Sequence, residues 1–253
     1  DCCYDVARLV ALGLVRLLTS SSIEGETSSN TPHSTQSKTR QIMSHIVYTS
    51  GTTGKPKGCI SSLASLKHYI RSKNIAHDIN KQSNVLLASA ITFDPCISDV
   101  LATCAVNGTL CLASRDLLYS RSDYSSDSNE NESCYRGLTK LLRQLNITHA
   151  LCTPTLWATV EGSPLKNSIP SLQVVALGGE PIPRAMVKVW SRTKRKGQNG
   201  SVEYNRQHPR LCSTYGVTEA CVYQTFGEIV LSDDCSNSKS GQSVGLPLLG
   251  TNI

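Results

Sequence analysis

A chain of 253 residues with 39% hydrophobic and 17% charged side chains holds enough apolar material for a buried core, which excludes disorder of the whole. Its 25 Lys and Arg against 19 Asp and Glu leave a balance of +6, which suits an anionic ligand such as a nucleotide. Aromatics at 5%, not interleaved with basic residues, argue against a nucleic-acid interface. The 11 cysteines are odd in number, and none forms a C-x-x-C pair. Most lie in apolar segments, as reduced thiols packed as small hydrophobes would, so a reducing, cytoplasmic setting without zinc is expected.

Residues 5–18 place Val6, Val10, Leu14 and Leu17 on one helical face. That apolar stretch is short and interrupted by Arg8 and Arg16, so it predicts no membrane span. Residues 19–40 are rich in Ser, Thr and Asn and read as a linker. Ile46, Val47 and Tyr48 then read as a short buried strand leading into Thr49, Ser50, Gly51, Thr52, Thr53 and Gly54. Ser61 or Ser62 is placed to cap a helix carrying Leu63, Leu66 and Ile70 on one face. Val85 to Ala90 predicts a buried strand, Pro95 the first turn of the next helix, and Gly108 to Leu112 another strand.

Residues 120–134 are almost wholly polar and read as an exposed insertion. Tyr135, Leu138, Leu142 and Leu145 form a helical stripe, Ile147 to Leu151 a strand, and Thr153-Pro154 opens a short helix. Leu172 to Leu177 is a strand running into Gly178-Gly179-Glu180. A helix from about Pro183 is expected to end in the basic run Arg192, Lys194, Arg195 and Lys196, complementing its negative end. Leu211 to Thr214, Val222 to Phe226 and Val244 to Ile253 complete the extended segments, with a polar loop over 231–241. Strands alternating with helices predict an α/β fold with a largely parallel sheet.

Three segments carry chemistry. Thr49 to Gly54 are all Ser, Thr or Gly, and Lys55 and Lys57 follow. Hydroxyls and bare amides can approach a polyanion closely, and lysine adds a mobile positive charge. Pro56 stands where a Walker loop requires glycine, so the stretch is not one. Gly178-Gly179 after a strand would let a flat base lie against backbone, or form a plain turn. Asp94, directly after an apolar strand and Phe93, is costly unless paired, so either a cationic ligand or a helix-capping role accounts for it.

Thr49 to Gly58 resembles the phosphate-loop signature of the adenylate-forming superfamily. Phe93-Asp94-Pro95, Ala176-Leu-Gly-Gly-Glu180, Tyr215-Gly-Val-Thr-Glu219 and Gly245-Leu-Pro-Leu-Leu-Gly250 are similar to its other segments, in its order. The wording is most similar to adenylation domains of the beta-alanine-activating type. The resemblance implies the central part of that superfamily's large N-terminal domain over 42–253, with 1–41 outside it. It implies ATP and Mg²⁺ as cofactors and a small amino or carboxylic acid as substrate. The fold type also implies a phosphopantetheine carrier as partner in the full-length protein.

The same resemblance gives residue roles. Thr49 to Gly54 with Lys57 would hold the leaving pyrophosphate. Gly178, Gly179, Glu180, Thr214, Tyr215 and Gly216 would surround the adenine. Thr218 would contact the α-phosphate and Glu219 hold Mg²⁺, so Lys57, Thr218 and Glu219 are the catalytic candidates. Asp94 would take the substrate ammonium, with Pro95, Ser98, Leu151, Val175, Leu177, Thr214, Val222 and Tyr223 lining the acid pocket. Val217 stands where the family usually has proline. The family's ribose-binding aspartate, hinge and C-terminal lysine are expected beyond Ile253.

Overall fold

The protein is described by a computed structural model over residues 42–51, 54–119, 137–160, 169–196, 201–204, 208–232 and 243–251. The expectations for the helix at 5–18, the linker at 19–40 and the insertion at 120–134 lie outside the described residues, as do Thr52 and Thr53 of the loop.

Apolar runs too long for one exposed face have to be covered on both sides, and they build a seven-stranded sheet. Its parallel body comprises β3 (Asn84–Leu86), β4 (Thr109–Cys111), β5 (His149–Cys152), β6 (Val174–Gly178) and β9 (Arg210–Tyr215). Two antiparallel strands, β10 (Thr225–Glu228) and β12 (Leu246–Pro247), extend the β9 edge. One face is covered by α1 (Leu63–His77) and α2 (Asp94–Ala105), which contribute Leu66, Tyr69, Ile70, Leu101 and Ala102 to a cluster with Val174 and Ala176. The other face carries α4 (Gly137–Gln144), α5 (Pro154–Trp157) and α6 (Arg184–Trp190), which follow the short α3 (Arg115–Tyr119) in the chain. Their Leu138, Leu142, Trp157 and Trp190 pack with Val175 and Leu177, and the two indoles meet edge to face at 5.0 Å. A fully buried leucine such as Leu142, 0% exposed, contributes about 1.5–3 kcal/mol.

Local rules account for the helix starts. Ser62 caps α1, its hydroxyl accepting from the Ser65 N–H at 3.0 Å. Thr153 caps α5, with Pro154 in the first turn where its missing N–H costs nothing. Pro95 enters α2 in the same way. Asp78 and Asn146, in left-handed backbone, turn the chain after α1 and α4.

Four expectations are corrected. The segment before the phosphate loop is not a buried strand of the main sheet. It is β1 (Met43–Thr49), paired antiparallel with an unforeseen β2 (Lys57–Ser62), and only Val47 of Ile46, Val47 and Tyr48 is buried. The loop is therefore the tip of a hairpin. The basic run does not end a helix either: α6 stops at Trp190, and Arg192–Lys196 is β7, pairing with β8 (Val202–Tyr204) and β11 (Val230–Ser232). Val222 is not in a strand, because Cys221 and Val222 both take left-handed backbone and β10 begins only at Thr225. The strand expected over 85–90 pairs only through Leu86, with the Leu87 N–H adding a bond to Cys111.

Candidate adenylation site

Parallel strands deliver their carboxyl ends to one edge of the sheet, the usual ligand position in open α/β sheets. Here β5 ends in Leu151 and Cys152 before Thr153, β6 runs into Gly178-Gly179, and β9 ends in Thr214 and Tyr215. These ends, the start of α2 and the loop after β9 enclose a small cavity of about 90 Å³. Asp94 and Pro95 come from α2, and Gly216, Thr218, Val222 and Tyr223 from the loop. Ten residues expected at the site are thus brought together: Asp94, Pro95, Leu151, Gly178, Gly179, Thr214, Gly216, Thr218, Val222 and Tyr223.

Asp94 is 3% exposed, and its Oδ2 has no hydrogen-bond partner. Burial raises its pKa above the ordinary carboxylate value, and the negative charge of Glu219 adds to that. The Thr218 hydroxyl and the backbone N–H groups of Asp94 and Val222 oppose the shift by bonding the ionised form. A buried carboxylate oxygen without a partner, on a residue lining a cavity, is costly unless a cationic group pairs with it.

Gly178 explains how the cavity stays open on its sheet side. A Cβ there would stand 2.3 Å from the Thr214 Oγ1 and 2.9 Å from the Thr214 carbonyl, so no side chain fits. Gly179 has φ +80°, which glycine takes freely. Thr214, buried, donates its hydroxyl to the Leu177 carbonyl at 3.3 Å. The following loop is shaped by Gln224, which accepts from the Val217 N–H at 3.0 Å and donates to the Ala220 carbonyl at 3.0 Å.

Other expected residues are placed differently. Val175 and Leu177 are 0% exposed and pack into the core on the opposite face. The cavity face of β6 belongs to Ala176 and Gly178, in register with Leu151 and with Cys212 and Thr214. A one-residue slip of frame inverts every side chain of a strand, and the sequence frame was displaced by one. Ser98 is 0% exposed and lies behind the wall. Glu180 is exposed and accepts from the Thr155 N–H at 3.1 Å and from the Thr155 hydroxyl. Tyr215 is 57% exposed, a bare ring at the rim. Ser89, Phe93, Cys152 and Thr153 complete the lining and were not foreseen; only the Thr-Pro helix start at 153–154 marked that strand end in advance. Burial pushes the Cys152 thiol pKa well up, so it lines the cavity as a neutral group.

The hairpin tip bears on the same region, because β2 packs against the 3-10 turn Thr218–Ala220. Ser50, Gly51, Gly54, Lys55 and Lys57 surround that tip, Lys57 is exposed, and Gly54 has φ +78° while its N–H bonds the Gly51 carbonyl at 3.1 Å. Gly51 is tightly closed in, since a Cβ there would stand 2.1 Å from the Lys55 carbonyl. Thr49 ends β1 opposite Lys57. Among the described residues no three His, Cys, Asp or Glu converge as metal ligands. Glu219 is a single exposed carboxylate beside Thr218. That donor set fits Mg²⁺, which takes most of its oxygens from water and phosphate and few from protein. The described cysteines are free thiols, and no described helix is long and apolar enough to cross a membrane.

Comparison with known proteins agrees with this geometry. The AMP-binding enzyme family matches residues 9–253, so its match begins upstream of residue 42. A nonribosomal peptide synthetase, vlms, of Lecanicillium sp is 30% identical over 78% of this chain and 2% of its own length. The Delta-poly-L-ornithine synthetase of Acinetobacter baumannii is 29% identical over 70% of this chain and 11% of its own. The chain thus spans a small part of these relatives. The Vibrio cholerae adenylation domain AlmE, solved with glycyl-adenosine-5'-phosphate, superposes with TM-score 0.59 at 19% identity, covering 81% of this chain and 33% of that one. That likeness establishes the fold: helices on both faces of a mostly parallel sheet. With a family match over nearly its whole length, and with the family's motif segments gathered at one sheet edge, this chain belongs to the AMP-binding enzymes, as an adenylate-forming protein of the nonribosomal-peptide-synthetase adenylation type.

Proposed function

We propose that this chain activates the carboxylate of a small amino acid, with beta-alanine as a candidate, as its aminoacyl-adenylate. Pyrophosphate leaves, and the acyl group passes to a carrier thiol in the full-length protein. The observation that carries the reading is Asp94: a buried carboxylate, one oxygen unpartnered, at the wall of a small cavity. An ammonium group placed there would pair with a charge that is otherwise costly to bury. Being small, at about 90 Å³, the cavity favours a short acid over a drug-sized one.

ATP supplies the electrophilic phosphorus and Mg²⁺ the charge neutralisation. The protein's work is alignment and electrostatics. Asp94 would hold the substrate's ammonium, so that its carboxylate points out of the cavity toward Thr218. Once the ammonium pairs with Asp94, Thr218 would turn its hydroxyl from that carboxylate to the reacting phosphate, and Glu219 would hold the metal. Gly178 and Gly179 would offer flat backbone to the adenine against the exposed Tyr215 ring. Thr49 to Gly54 with Lys57 would take up the charge of the leaving pyrophosphate. The peptide-synthetase relatives support a carrier thiol as acceptor, without naming it for this chain.

The test is substrate-dependent exchange of labelled pyrophosphate into ATP by the intact protein, across a panel of short amino acids and the same acids without the amino group. The expected result is exchange with at least one short amino acid and little with its des-amino partner. Exchange confined to acids that lack the amino group would overturn the reading.

A further inference from the structure

Behind the cavity lies a buried polar layer that the adenylation chemistry does not use. Lys73 of α1 is 2% exposed and pairs with Asp99 of α2, which is 0% exposed. The Lys73 ammonium also donates to the Ser98 Oγ at 2.7 Å. An ammonium has only donors, so Ser98 accepts there, and its hydroxyl also hydrogen-bonds the Tyr69 hydroxyl 2.9 Å away. The Tyr69 ring in turn meets the Tyr223 ring edge to face, and the Tyr223 hydroxyl lies 2.6 Å from the His77 Nε2. Burial first, then the positive charges of Lys73, His149 and Arg210, lower the His77 pKa well below its usual value. The imidazole is therefore neutral, and its Nε2 shares one hydrogen bond with the Tyr223 hydroxyl.

The layer reaches the cavity wall at one residue. Tyr223 is 5% exposed and lines the cavity. Its ring meets Tyr69 edge to face at 5.1 Å and His77 at 6.0 Å, while Phe226 packs on His77 from the other side at 4.8 Å. A buried ion pair such as Lys73–Asp99 adds little stability over an apolar pair, because both ions lose water. Here it holds Ser98, and Ser98 holds the Tyr69 hydroxyl, so that the Tyr69 ring is fixed against Tyr223.

We propose that Tyr69 and His77 are positioning residues that hold the Tyr223 ring as a rigid inner wall of the cavity, so that the site accepts a short amino acid and rejects longer ones. This rests on the cavity being the amino-acid site. With the hydroxyl tethered and the ring braced on two sides, Tyr223 cannot swing aside for added methylenes. A rigid wall rejects extra length more strongly than a yielding one.

The experiment measures kcat/KM for pyrophosphate exchange in the intact protein with a linear amino-acid series of increasing length. It compares wild type with Tyr69→Leu, His77→Leu and the double variant His77→Leu with Tyr223→Phe. His77→Leu alone strands the Tyr223 hydroxyl and risks the fold; the double variant removes both partners and restores the match. The expected result is a short-over-long kcat/KM ratio reduced about tenfold or more in the double variant, through KM for the longer acids, with Tm within about 5 °C of wild type. Tyr69→Leu, which removes the ring packed on Tyr223, is expected to shift the ratio in the same direction. An unchanged ratio in a folded double variant would overturn the positioning role and leave the amino-acid reading standing. If wild type supports no exchange with any amino acid, both fall together.

Discussion

The backbone N–H of Val222, a β-branched residue held at φ 69°, favours the ionised form of the Asp94 carboxylate. That backbone region costs a residue such as valine about 1–3 kcal/mol, and it persists only where the surroundings determine it. Here the strained turn at Cys221 and Val222 aims an N–H at the carboxylate and the valine side chain at the cavity. Val222→Gly should therefore leave stability within about 1–2 kcal/mol, because relief of strain offsets the lost buried side chain. Urea unfolding measures this. A loss of 3 kcal/mol or more, roughly the full burial contribution of valine, would mean the turn carries no strain.

Gly178→Ala tests the close approach at the sheet edge. Its Cβ would stand 2.3 Å from the Thr214 Oγ1, so β6 and β9 must separate there or Thr214 must turn away. The expected outcome is a stability loss of about 1–3 kcal/mol, together with weakened amino-acid-dependent exchange. Unaltered melting and activity would show that the two strands are not in this contact.

At the hairpin tip, Lys57 opens β2, the strand that packs against the Thr218 turn, whereas Lys55 precedes Pro56 and lies outside both strands. Lys57→Ala should slow adenylate formation roughly 10- to 1000-fold, the loss expected for one transition-state charge contact, and Lys55→Ala should cost little. Affinity for a preformed adenylate, which lacks the outer phosphates, should barely change in either. Greater damage from Lys55→Ala would reverse the assignment.

Acid should weaken the fold before the carboxylate range is reached. Burial lowers the pKa values of both His77 and His149, so between those values and about 6.5 the unfolded chain binds more protons than the folded one. Their stabilisation is complete above about pH 6.5 and is lost as pH falls below it, at up to about 1.4 kcal/mol per pH unit for each histidine. Asp94 and Asp99, whose pKa values are raised by burial, act with the opposite sign nearer the carboxylate range. Urea unfolding at steps from pH 8 to 5 should show the slope, reduced in the His77→Leu, Tyr223→Phe double variant. A flat profile would mean these histidines are not buried neutral.

Features fixed by short-range rules were legible in the sequence. Ser62 and Thr153 cap helices where expected, and Asp94, Thr214 and Thr218 meet at one cavity as their motifs implied. Features fixed by pairing partners were not. Nothing local distinguishes a strand entering a parallel sheet from one arm of a hairpin, so β2 went unseen. The frame of β6 was displaced because all its residues are apolar, and a sheet buried on both faces erases the alternation that sets register. The run from Arg192 to Lys196 is basic for a helix end or an edge strand alike; its pairing with β8 and β11 decides between them. The polar layer gave no signal, because Tyr69, Lys73 and His77 share one face of α1 but meet Ser98 of α2 and Tyr223 of the loop before β10 only through packing.

The most direct test of the central claim compares Asp94→Ala with wild type in the intact protein, using a short amino acid and its des-amino partner in the pyrophosphate-exchange assay. Removing one partner of a buried charge pair costs about 2–5 kcal/mol, so kcat/KM for the amino acid should fall at least about thirtyfold. The des-amino acid, which has no ammonium to lose, should be used as well as before or better. Equal losses on both substrates would show that Asp94 only begins helix α2, and would contradict the account.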